Sequence, residues 1–587
     1  MFLATTALEE FWDNKQEILF LGAWCLAADR QSAGALVAHQ TLHCPWNDRD
    51  RFYRAAEYVD SCSEALLVQL SRYLNGVHRT GHSERYWRIV LGPWLILYTH
   101  VVYDRLIHLQ SAFERYSGLE TIVMDPSSFR TPADFPEAVS FVSSDAYNLQ
   151  IFSQLLDLMG SRFPKKKYDG SFGSAEPGNP RLSAIMVSAL EKLIRVPVKA
   201  RATTTVTRTR NLGWKQGWRL ALATRLRVLP LHFDLERPFY RAPALFNEGR
   251  LALGKLAFDD PFQRILTELL PSHFPTLYLE GYQPARTRIA KAGQTPIIMS
   301  EYAWSGDEEF KFSAAQVAER GNCLVNVQHG GGYGAYRSAP YEEHERRIGD
   351  YFLAWGWADD RMRNSGNIVN PMFAQLENQR RHSSPGNTVL FVGTNQPRFL
   401  HRFQSGPVGS QWEDYFDWQH RFVGRVPGQL RASLSFRPYP FLYRHAGERR
   451  VRRSFPSVSW DSSPGFYEKL TTARVAVVDH FGTVPLEALA ANVPTILFWD
   501  PDRWEMRSEV KASFDQLREA EILWDSPEGA AEKLAKVYAD PGDWWNSDHV
   551  QVIRKEFVSR QALTKQDWIS SWIDNLQKIW SLCGGLG

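Results

Sequence analysis

The chain has 587 residues, of which 44% are hydrophobic and 23% charged, so it is long enough for several domains and too apolar to be disordered. Lysine and arginine number 68 against 65 aspartates and glutamates, which excludes a uniformly basic nucleic-acid-binding protein. The five cysteines are widely spread and form no Cys-x-x-Cys pair, so the sequence predicts reduced thiols in a cytoplasmic protein and no zinc finger.

The first part of the chain predicts a mixture of helices and short strands. Residues 1–13 lack the basic n-region of a secretory signal. Thr6 lies three residues before Glu9, the spacing of a capping box, and predicts a helix start. Residues 50–115 have helical periodicity, and the apolar stretch Ile89–Tyr103 within them is too short to span a bilayer.

A basic stretch at residues 192–227 contains ten lysines and arginines and no acidic residue. The simplest interpretation is a solvated basic face. Two functional alternatives are attraction to anionic lipid headgroups at the inner membrane leaflet and attraction to an anionic acceptor glycan. Binding to nucleic acid is the least favoured alternative, because no recognition motif accompanies the basic residues.

The second half of the chain predicts two α/β domains with parallel sheets, because short apolar strands alternate with helices. The predicted strands are 295–301, 322–328, 350–357, 388–392, 432–437, 474–478 and 494–499. We place the main boundary between residues 345 and 386. The predicted units are a Rossmann-like domain with helical insertions at 1–345, a second Rossmann-like domain at 386–545, and helices at 546–587 that pack back.

The segment after the strand at 474–478 has the pattern of a nucleotide site. Gly482 and Thr483 open a helix whose unpaired N–H groups and positive dipole end can hold a phosphate, and His480 precedes them. Glu487 lies one turn into the helix, where a carboxylate can accept hydrogen bonds from ribose hydroxyls. The alternative is an ordinary βαβ unit with a threonine cap and a surface glutamate.

Three further loops have residues suited to binding an anion. In one, His329 follows a strand and precedes Gly330, Gly331 and Gly332, which let backbone N–H groups approach an anion. The alternative there is a tight turn with a packed histidine. In the other loops, Thr394 and Arg437 follow two predicted strands, and Arg437, together with Arg398, is a candidate for neutralising the leaving phosphate.

The catalytic carboxylate has three candidates. Glu301 ends the strand at 295–301 and is our first choice as base or nucleophile, although a surface acid after a strand is equally consistent. Asp125, which follows an apolar run, is also predicted as catalytic, and Asp145 is a rival. We predict His329 as the catalytic histidine, and the sequence leaves open whether the reaction is retaining or inverting.

No metal site is predicted. The two Asp-x-Asp pairs, at residues 48–50 and 500–502, lack the sequence context that a metal-binding Asp-x-Asp site requires. His39 and His43 lack a third ligand. The sequence contains no Gly-x-Gly-x-x-Gly, Walker A or Gly-x-Ser-x-Gly motif, which argues against a dehydrogenase, an NTPase and an α/β-hydrolase.

Several stretches resemble a known family over nearly the full length of the chain. The run Gly482–Thr495 is similar to the donor-nucleotide segment of GT-B glycosyltransferases. The wider pattern is similar to a family of bacterial surface-carbohydrate transferases encoded in O-antigen clusters. That pattern consists of Leu3–Ala7, Leu21–Cys25, Trp87–Leu95, Tyr103–Arg105, Gln328–Gly334 and Trp355–Trp357. The family has been related to enzymes that transfer Kdo or sialic-acid-like nonulosonic acids from CMP, some of which carry a Gln-His-Gly element.

The resemblance implies a metal-independent GT-B glycosyltransferase in O-antigen, lipopolysaccharide or capsule synthesis, with a CMP-linked 2-keto sugar acid as donor and no other cofactor. The expected partner is a lipid-linked or oligosaccharide acceptor, with the protein in the cytoplasm or peripheral on the inner membrane and without nucleic acid. The alternatives are a UDP- or GDP-hexose donor and a non-catalytic glycan-binding or assembly protein. The acceptor, the linkage and the oligomeric state stay open.

Overall fold

The computed structural model describes residues 1–26, 39–173, 202–207, 209, 212–231, 245–290, 295–357, 364–441, 443–565 and 567–583. These residues form an N-terminal helical unit followed by two units that are each built on a parallel sheet. The predicted α/β fold with two Rossmann-like domains is confirmed.

The N-terminal unit combines two long helices with small parallel sheets. Its elements are β1 (Phe2–Ala4), β2 (Ile18–Phe20), β3 (His39–Thr41), α1 (Arg49–His78), α2 (Glu84–Arg115), β4 (Val123–Met124), α3 (Phe135–Val142), α4 (Asp145–Leu158) and β5 (Lys165–Lys166). The helices predicted across 50–115 are confirmed. The helix start predicted at Thr6 is wrong, because β1 precedes it and Glu9–Phe11 forms only a short 3-10 turn.

Capping residues explain where the two long helices begin. The Asp48 carboxylate accepts from the backbone N–H of Arg51 at the start of α1, and the Ser83 hydroxyl accepts from that of Tyr86 at the start of α2. The apolar stretch Ile89–Tyr103 lies inside α2 and is almost wholly buried against neighbouring helices. Among the described helices, none is both long and apolar enough to cross a bilayer.

The first large sheet has six parallel strands in the residues that the structure describes, in the order β11-β10-β9-β8-β6-β7. Its strands are β6 (Thr204–Thr207), β7 (Val228–Leu231), β8 (Ile297–Ser300), β9 (Cys323–Val327), β10 (Tyr351–Ala354) and β11 (Ser365–Asn367). The accompanying helices are α5 (Trp214–Ala223), α6 (Asn247–Leu253), α7 (Pro261–His273), α8 (Thr276–Leu279), α9 (Tyr282–Ala290), α10 (Ala303–Gly306), α11 (Glu308–Glu319) and α12 (Pro340–Ile348).

The second large sheet, again counted over the described ranges, has six parallel strands in the order β14-β13-β12-β15-β16-β17. Its strands are β12 (Val389–Val392), β13 (Leu434–Arg437), β14 (Ser459–Trp460), β15 (Val475–Val478), β16 (Thr495–Phe498) and β17 (Leu523–Trp524). The helices are α13 (Pro371–Arg381), α14 (Trp412–Arg425), α15 (Gly428–Arg431), α16 (Ala446–Ser454), α17 (Phe466–Thr472), α18 (Thr483–Ala490), α19 (Ser508–Glu519), α20 (Pro527–Val537), α21 (Pro541–Trp545), α22 (Asp548–Gln561) and α23 (Trp568–Cys583).

The strand orders identify both sheets as doubly wound. Numbered from its own first strand, the second sheet has the order 3-2-1-4-5-6 of dinucleotide-binding domains. The first sheet has the order 2-1-3-4-5-6, which extends the flavodoxin-like order by one strand. Each sheet therefore has a point where the strand order reverses, and the two domains together form the GT-B arrangement that the sequence predicts.

The boundary between the two sheets lies at about residues 367–371. Strands β10 and β11 belong to the first sheet and extend it past residue 345, where the sequence predicts that the first domain ends. Helix α13 already packs against α17 and α18 of the second domain. The strand pairing decides this boundary, because β10 and β11 continue the same parallel ladder as β9.

The C-terminal helix α23 crosses back to the first sheet, as predicted. The indole N–H of Trp580 donates to the Thr204 hydroxyl at 2.9 Å, and that of Trp572 donates to the Val369 carbonyl at 3.0 Å. At the end of this helix Cys583 forms a disulfide with Cys323, at the start of β9. The prediction of five reduced cysteines is therefore wrong for this pair.

The basic stretch at 192–227 lies partly outside the described residues, which include 202–207, 209 and 212–227 of it. Within the described part, the Arg227 guanidinium lies 3.8 Å from the centre of the Trp580 ring, and Arg219 lies 5.7 Å from that of Trp568. These two cations pack on the C-terminal helix through cation–π contacts.

Candidate active site

A cleft of about 970 Å³ lies between the two sheet domains, at the carboxyl ends of their central strands. Ligands of doubly wound sheets bind at this position, where the strand order reverses. In the second sheet the reversal lies between β12 and β15, and the residues that follow these strands, Thr394 and His480, both line the cleft. His329 and the glycines 330–332, which follow β9 of the first sheet, line the opposite wall.

The side chain of Gln328 holds the glycine-rich loop that follows β9 in place. The side-chain oxygen of Gln328 accepts from the backbone N–H of Trp355 at 2.9 Å and from the indole N–H of Trp357 at 2.8 Å. Its amide nitrogen donates to the carbonyl of Gly330 at 2.9 Å. These three bonds fix the start of the loop and so the position of His329.

The same loop touches the second domain directly. The backbone N–H of Gly331 donates to the Thr483 hydroxyl at 3.2 Å, and the Tyr336 hydroxyl donates to the Phe481 carbonyl at 2.5 Å. A Cβ atom on Gly331 would lie 2.1 Å from the carbonyl oxygen of Gly482. Glycine is therefore required at 331 because the two backbones meet there.

On the first-domain wall, His329 belongs to a cluster with Tyr333 and Glu345. The Tyr333 hydroxyl donates to Oε1 of Glu345 at 3.0 Å and lies 3.4 Å from Nε2 of His329. Nδ1 of His329 lies 3.9 Å from the same carboxylate oxygen. All three residues line the cleft, and the side chain of His329 is 28% exposed whereas that of Glu345 is 2% exposed.

Glu345 is the main residue that sequence analysis missed. Burial, and the neighbouring carboxylate of Glu342, raise the pKa of Glu345 well above its ordinary value. In the sequence it lies within the charged run 342–347, which is typical of a solvated helix. The available signal is the helical period, since Tyr341, Glu345 and Ile348 share one face of α12 and place a carboxylate on its apolar side.

On the second-domain wall, His480 has an aspartate behind it. Nδ1 of His480 lies 3.1 Å from Oδ1 of Asp479, which also accepts from the Tyr415 hydroxyl at 2.8 Å. Oδ2 of Asp479 accepts from the side-chain amide of Gln419 at 2.7 Å. The buried aspartate is thus held by three donors, and it orients the His480 ring so that Nε2 lies on the side away from Asp479.

Helix α18 starts at the cleft with its first N–H groups uncovered by any side-chain cap. Its N-cap residue, Gly482, has no side chain to supply one, and Gly482 and Thr483 line the cleft. Glu487, one turn into the helix, also lines the cleft and accepts from the Tyr467 hydroxyl at 3.2 Å. The helix end can hold an anion while Glu487 lies within the same nucleotide-sized space.

The exits of β12 and β13 complete the second-domain wall. The backbone N–H of Thr394 donates to the Tyr415 hydroxyl at 2.8 Å, which links this loop to Asp479. Arg437 lies 3.4 Å from the Asp461 carboxylate and donates to the Ser463 carbonyl. The positive charge of Arg437 in the cleft is therefore partly neutralised by Asp461.

A second arginine, which the sequence analysis did not select, lines the cleft without a carboxylate beside it. Among the described residues, the partners of the Arg402 side chain are the side chain of Gln404 and the ring of Tyr341, whose centre lies 4.6 Å from the guanidinium carbon. Neither partner is an acid. Arg402 therefore keeps its charge available to an anion in the cleft.

Two predicted catalytic residues lie away from the cleft. Glu301 is 1% exposed and is not among the residues that line it, because the chain turns at once into α10, where the N–H of Ala303 bonds the Ser300 hydroxyl at 3.1 Å. Asp125 lies on an exposed loop after β4 and accepts from the backbone N–H of Ser127 at 2.9 Å. We correct both predictions on this ground.

Arg398 and Asp145 also serve elsewhere. They form an ion pair with an N–O distance of 2.5 Å, and Arg398 donates to the carbonyl of Trp24. Both contacts join the second domain to the N-terminal unit. Among the described residues, no group of three histidine, cysteine or acidic side chains is arranged to hold a metal ion.

Comparison with known proteins places this geometry in a family. A model of the LIC12162 family transferase matches residues 1–576 of the chain. The chain belongs to the LIC12162 family of transferases. The match includes the N-terminal unit, both sheet domains and most of α23, so it covers every residue of the cleft.

The other comparisons are distant. No curated protein matches the transferase in sequence. Among solved structures, the wall teichoic acid polymerase TagF is 10% identical, with a TM-score of 0.31, and the match covers 67% of this chain and 94% of that one. MurG from Acinetobacter baumannii is 9% identical, with a TM-score of 0.33, over 64% of this chain and 99% of that one. Neither likeness bears on the substrate of the transferase.

Proposed function

We propose that the transferase moves a 2-keto sugar acid, Kdo or a sialic-acid-like nonulosonic acid, from its CMP-activated donor to a glycan acceptor in bacterial surface polysaccharide synthesis. The observation that carries glycosyl transfer is the cleft itself. One wall presents the open N-terminus of α18 with Glu487, and the facing wall presents His329 with a carboxylate behind it. The wall with α18 and Glu487 suits a nucleotide, and the wall with His329 suits the hydroxyl group that reacts.

The nucleotide end of the donor fits the second domain. A phosphate at Thr483 would meet the first N–H groups of α18 and the positive end of its dipole. His480, oriented by Asp479, would donate from Nε2 to a phosphate oxygen. Glu487 would accept from the ribose hydroxyls.

The acidic sugar is supported by Arg402. This arginine lines the same cleft, and its described partners carry no negative charge. A carboxylate on the sugar would give it a charge-assisted, bidentate partner, which a neutral hexose lacks. Arg437 would then face the phosphate that leaves, with Asp461 moderating its charge.

We write the transfer as a single displacement. The acceptor hydroxyl attacks the anomeric carbon, the bond from that carbon to the phosphate oxygen breaks, and its electron pair leaves with the nucleotide. His329 takes the hydroxyl proton at Nε2. The contact between Gly331 and Thr483 brings the two walls together and limits the access of water, which would otherwise hydrolyse the donor.

The acceptor side and the location are proposals of the same kind. We assign the acceptor to the wall of the first domain and propose peripheral association with the inner membrane through the basic stretch at 192–227. Sedimentation with anionic liposomes at low and high salt tests the membrane part. Binding that is lost at high salt supports it, and absence of binding at both salt concentrations excludes it.

A thermal-shift panel of CMP, UDP, GDP and CDP tests the nucleotide. A ligand at one hundred times its Kd stabilises the folded state by about 2.7 kcal/mol. We expect CMP alone to raise the melting temperature and the shift to disappear in Glu487→Ala. Glu468→Ala, at an exposed position on the nearby helix α17, is the matched control and should keep the shift.

The other outcomes select the alternatives. A shift with UDP or GDP instead of CMP keeps the fold and replaces the donor by a nucleotide hexose. No shift with any nucleotide favours a non-catalytic glycan-binding or assembly protein.

A second thermal-shift experiment tests whether the cleft recognises the carboxylate of the donor sugar. CMP-N-acetylneuraminic acid should stabilise the transferase more than CMP does, and Arg402→Gln should remove that difference while it keeps the CMP shift. Arg453→Gln, at an exposed position on α16, is the control. Equal shifts with CMP and with the sugar nucleotide in the wild type would contradict a carboxylate-binding role of Arg402.

A further inference from the structure

The Glu345 carboxyl group lines the cleft and, among the described residues, is buried with a single hydrogen-bond donor. Oε1 accepts from the Tyr333 hydroxyl at 3.0 Å, and the buried Oε2 has no hydrogen-bond partner. A buried carboxylate in a native structure is usually satisfied by several donors or by a cation. Glu345 has one donor, and the imidazole of His329, 3.9 Å away, is the neighbouring group that can supply a positive charge, which indicates a task in the chemistry of the cleft.

The charged and titratable groups around Glu345 come from three elements. On its own helix, Glu342 repels a charge on Glu345, and Glu342 is itself neutralised by Arg346 and by Arg507 of the second domain at 3.1 Å. From the glycine-rich loop, Tyr333 donates to it and His329 faces it, while Arg402 of the second domain acts on Tyr333. Arg346 and Arg507 thus each form an ion pair with Glu342.

We infer that Glu345 is the positioning residue that controls the proton on His329. The two side chains share one proton, and His329 accepts the proton of the acceptor hydroxyl only after the shared proton has left. The inference rests on the proposed function for its use in transfer. It stands on geometry, since Nδ1 of His329 faces Oε1 of Glu345 at 3.9 Å and both groups line one wall of the cleft.

The shared proton has a chemical consequence at the other nitrogen of His329. With the proton on Glu345, Nδ1 accepts and Nε2 carries the ring hydrogen. With the proton on the ring, both nitrogens carry hydrogens. Nε2 therefore gains a free electron pair only after the pair loses this proton, and the apparent pKa belongs to the pair.

The carboxylate then serves the transfer step. When Nε2 takes the proton of the acceptor hydroxyl, the ring becomes positive, Nδ1–H points at the Glu345 carboxylate, and the electron pair of the broken phosphate bond leaves with the nucleotide. A charge-assisted bond of this kind stabilises the imidazolium as it forms. The separation of 3.9 Å is expected to shorten when donor and acceptor are bound.

The reactivity of His329 toward diethylpyrocarbonate tests the pairing without any substrate. Nδ1 is buried, so the reagent reaches Nε2, and peptide mass spectrometry reports the modification at each histidine as a function of pH. In Glu345→Gln we expect the midpoint for His329 to move to lower pH by at least about one unit. At a pH below the wild-type midpoint, His329 should then react about tenfold faster.

Two further variants make the result specific. Tyr333→Phe removes the donor that stabilises the charged form of Glu345, so the midpoint should move to higher pH, opposite to the effect of Glu345→Gln. Glu343→Gln makes the same chemical change on the exposed side of α12 and should leave the midpoint unchanged. Glutamine at 345 keeps an oxygen that accepts from Tyr333, and an unchanged melting temperature verifies the fold.

The outcomes separate this inference from the proposed function. An unchanged His329 midpoint in Glu345→Gln overturns the pairing, whatever nucleotide binds. If the pairing is present, turnover of the donor that the nucleotide panel selects should fall by about 10²- to 10⁴-fold in Glu345→Gln, with the nucleotide-induced melting shift retained. Full turnover in this variant would overturn the role in transfer and leave donor binding at α18 intact.

Discussion

Each of the two sheet domains places a histidine at the carboxyl end of a central strand, with a carboxylate and a tyrosine behind it. In the second domain, Asp479 receives hydrogen bonds from His480, Tyr415 and Gln419. In the first domain, the main hydrogen bond to Glu345 comes from Tyr333. The residue types are alike, and the number of donors to the carboxylate differs.

The difference indicates different tasks for the two histidines. Three hydrogen-bond partners hold the buried Asp479 carboxylate in place, so it can fix one orientation of His480 and suit it to hold a phosphate. A buried carboxylate with one donor resists charging, which makes Glu345 and His329 suited to exchange a proton. The comparison predicts an anion-binding wall on one side of the cleft and an acid–base wall on the other.

The largest effect is expected at His329. Replacing it by asparagine removes the group that accepts the hydroxyl proton, so turnover should fall by about 10²- to 10⁴-fold. The melting shift caused by nucleotide should remain, since α18 and Glu487 are untouched. His382→Asn, at an exposed position after α13, is the control. Loss of nucleotide binding in His329→Asn would contradict the assignment of anion binding and acid–base chemistry to separate walls of the cleft.

A smaller effect is expected at His480. His480→Asn removes a hydrogen bond to a charged phosphate oxygen, which contributes about 1.5–3 kcal/mol, so the Kd for CMP should rise by about 10- to 150-fold. Turnover at saturating donor should change much less. Isothermal titration of CMP together with initial rates measures both quantities, and a large loss of turnover with unchanged affinity would contradict the assignment.

The meeting point of the walls gives the next test. Gly331→Ala puts a methyl group 2.1 Å from the Gly482 carbonyl, so one of the two backbones must move. We expect the free energy of unfolding to fall by about 1–3 kcal/mol and KM for the donor to rise. At Gly330 a Cβ would meet only the Tyr333 ring, at 3.6 Å, so Gly330→Ala is the matched control in denaturant titration. Equal stability of the two variants would argue against a tight contact between the walls.

The smallest effect is expected at Tyr336. Its hydroxyl donates to the Phe481 carbonyl across the same contact, and Tyr336→Phe should lower the free energy of unfolding by about 1 kcal/mol. Nucleotide affinity should stay within about twofold of the wild type. A larger loss of affinity would show that this bond also positions the start of α18.

The two walls also differ in how far the sequence predicted them. The proposed anion-binding wall comes from one contiguous stretch, in which His480, Gly482, Thr483 and Glu487 follow a strand within nine residues, so helix and strand periodicity brought them together. All four line the cleft. The acid–base wall joins His329 and Tyr333 to Glu345 from another element, and only the packing of α12 against β9 makes that contact.

The site predictions that failed and the cleft residue that was missed have the same physical cause, which is packing between segments that are distant in the sequence. Glu301 follows a strand as a catalytic acid often does, yet in the folded chain it is 1% exposed and is not among the residues that line the cleft. The sequence around Arg398 does not indicate that this residue pairs with Asp145, which lies 253 residues away along the chain. Arg402 follows no strand and reaches the cleft only because its loop packs near Tyr341.

The sequence by itself determined the class of fold, most of the strands and helices, and the grouping of His480, Gly482, Thr483 and Glu487 after β15, because these follow from local periodicity and from the backbone groups at a helix end. The tertiary structure decided the domain boundary, the Cys323–Cys583 bond and the partner of His329. Those depend on which distant segments pack together, and whether a carboxylate is charged depends on the burial and the donors that this packing supplies.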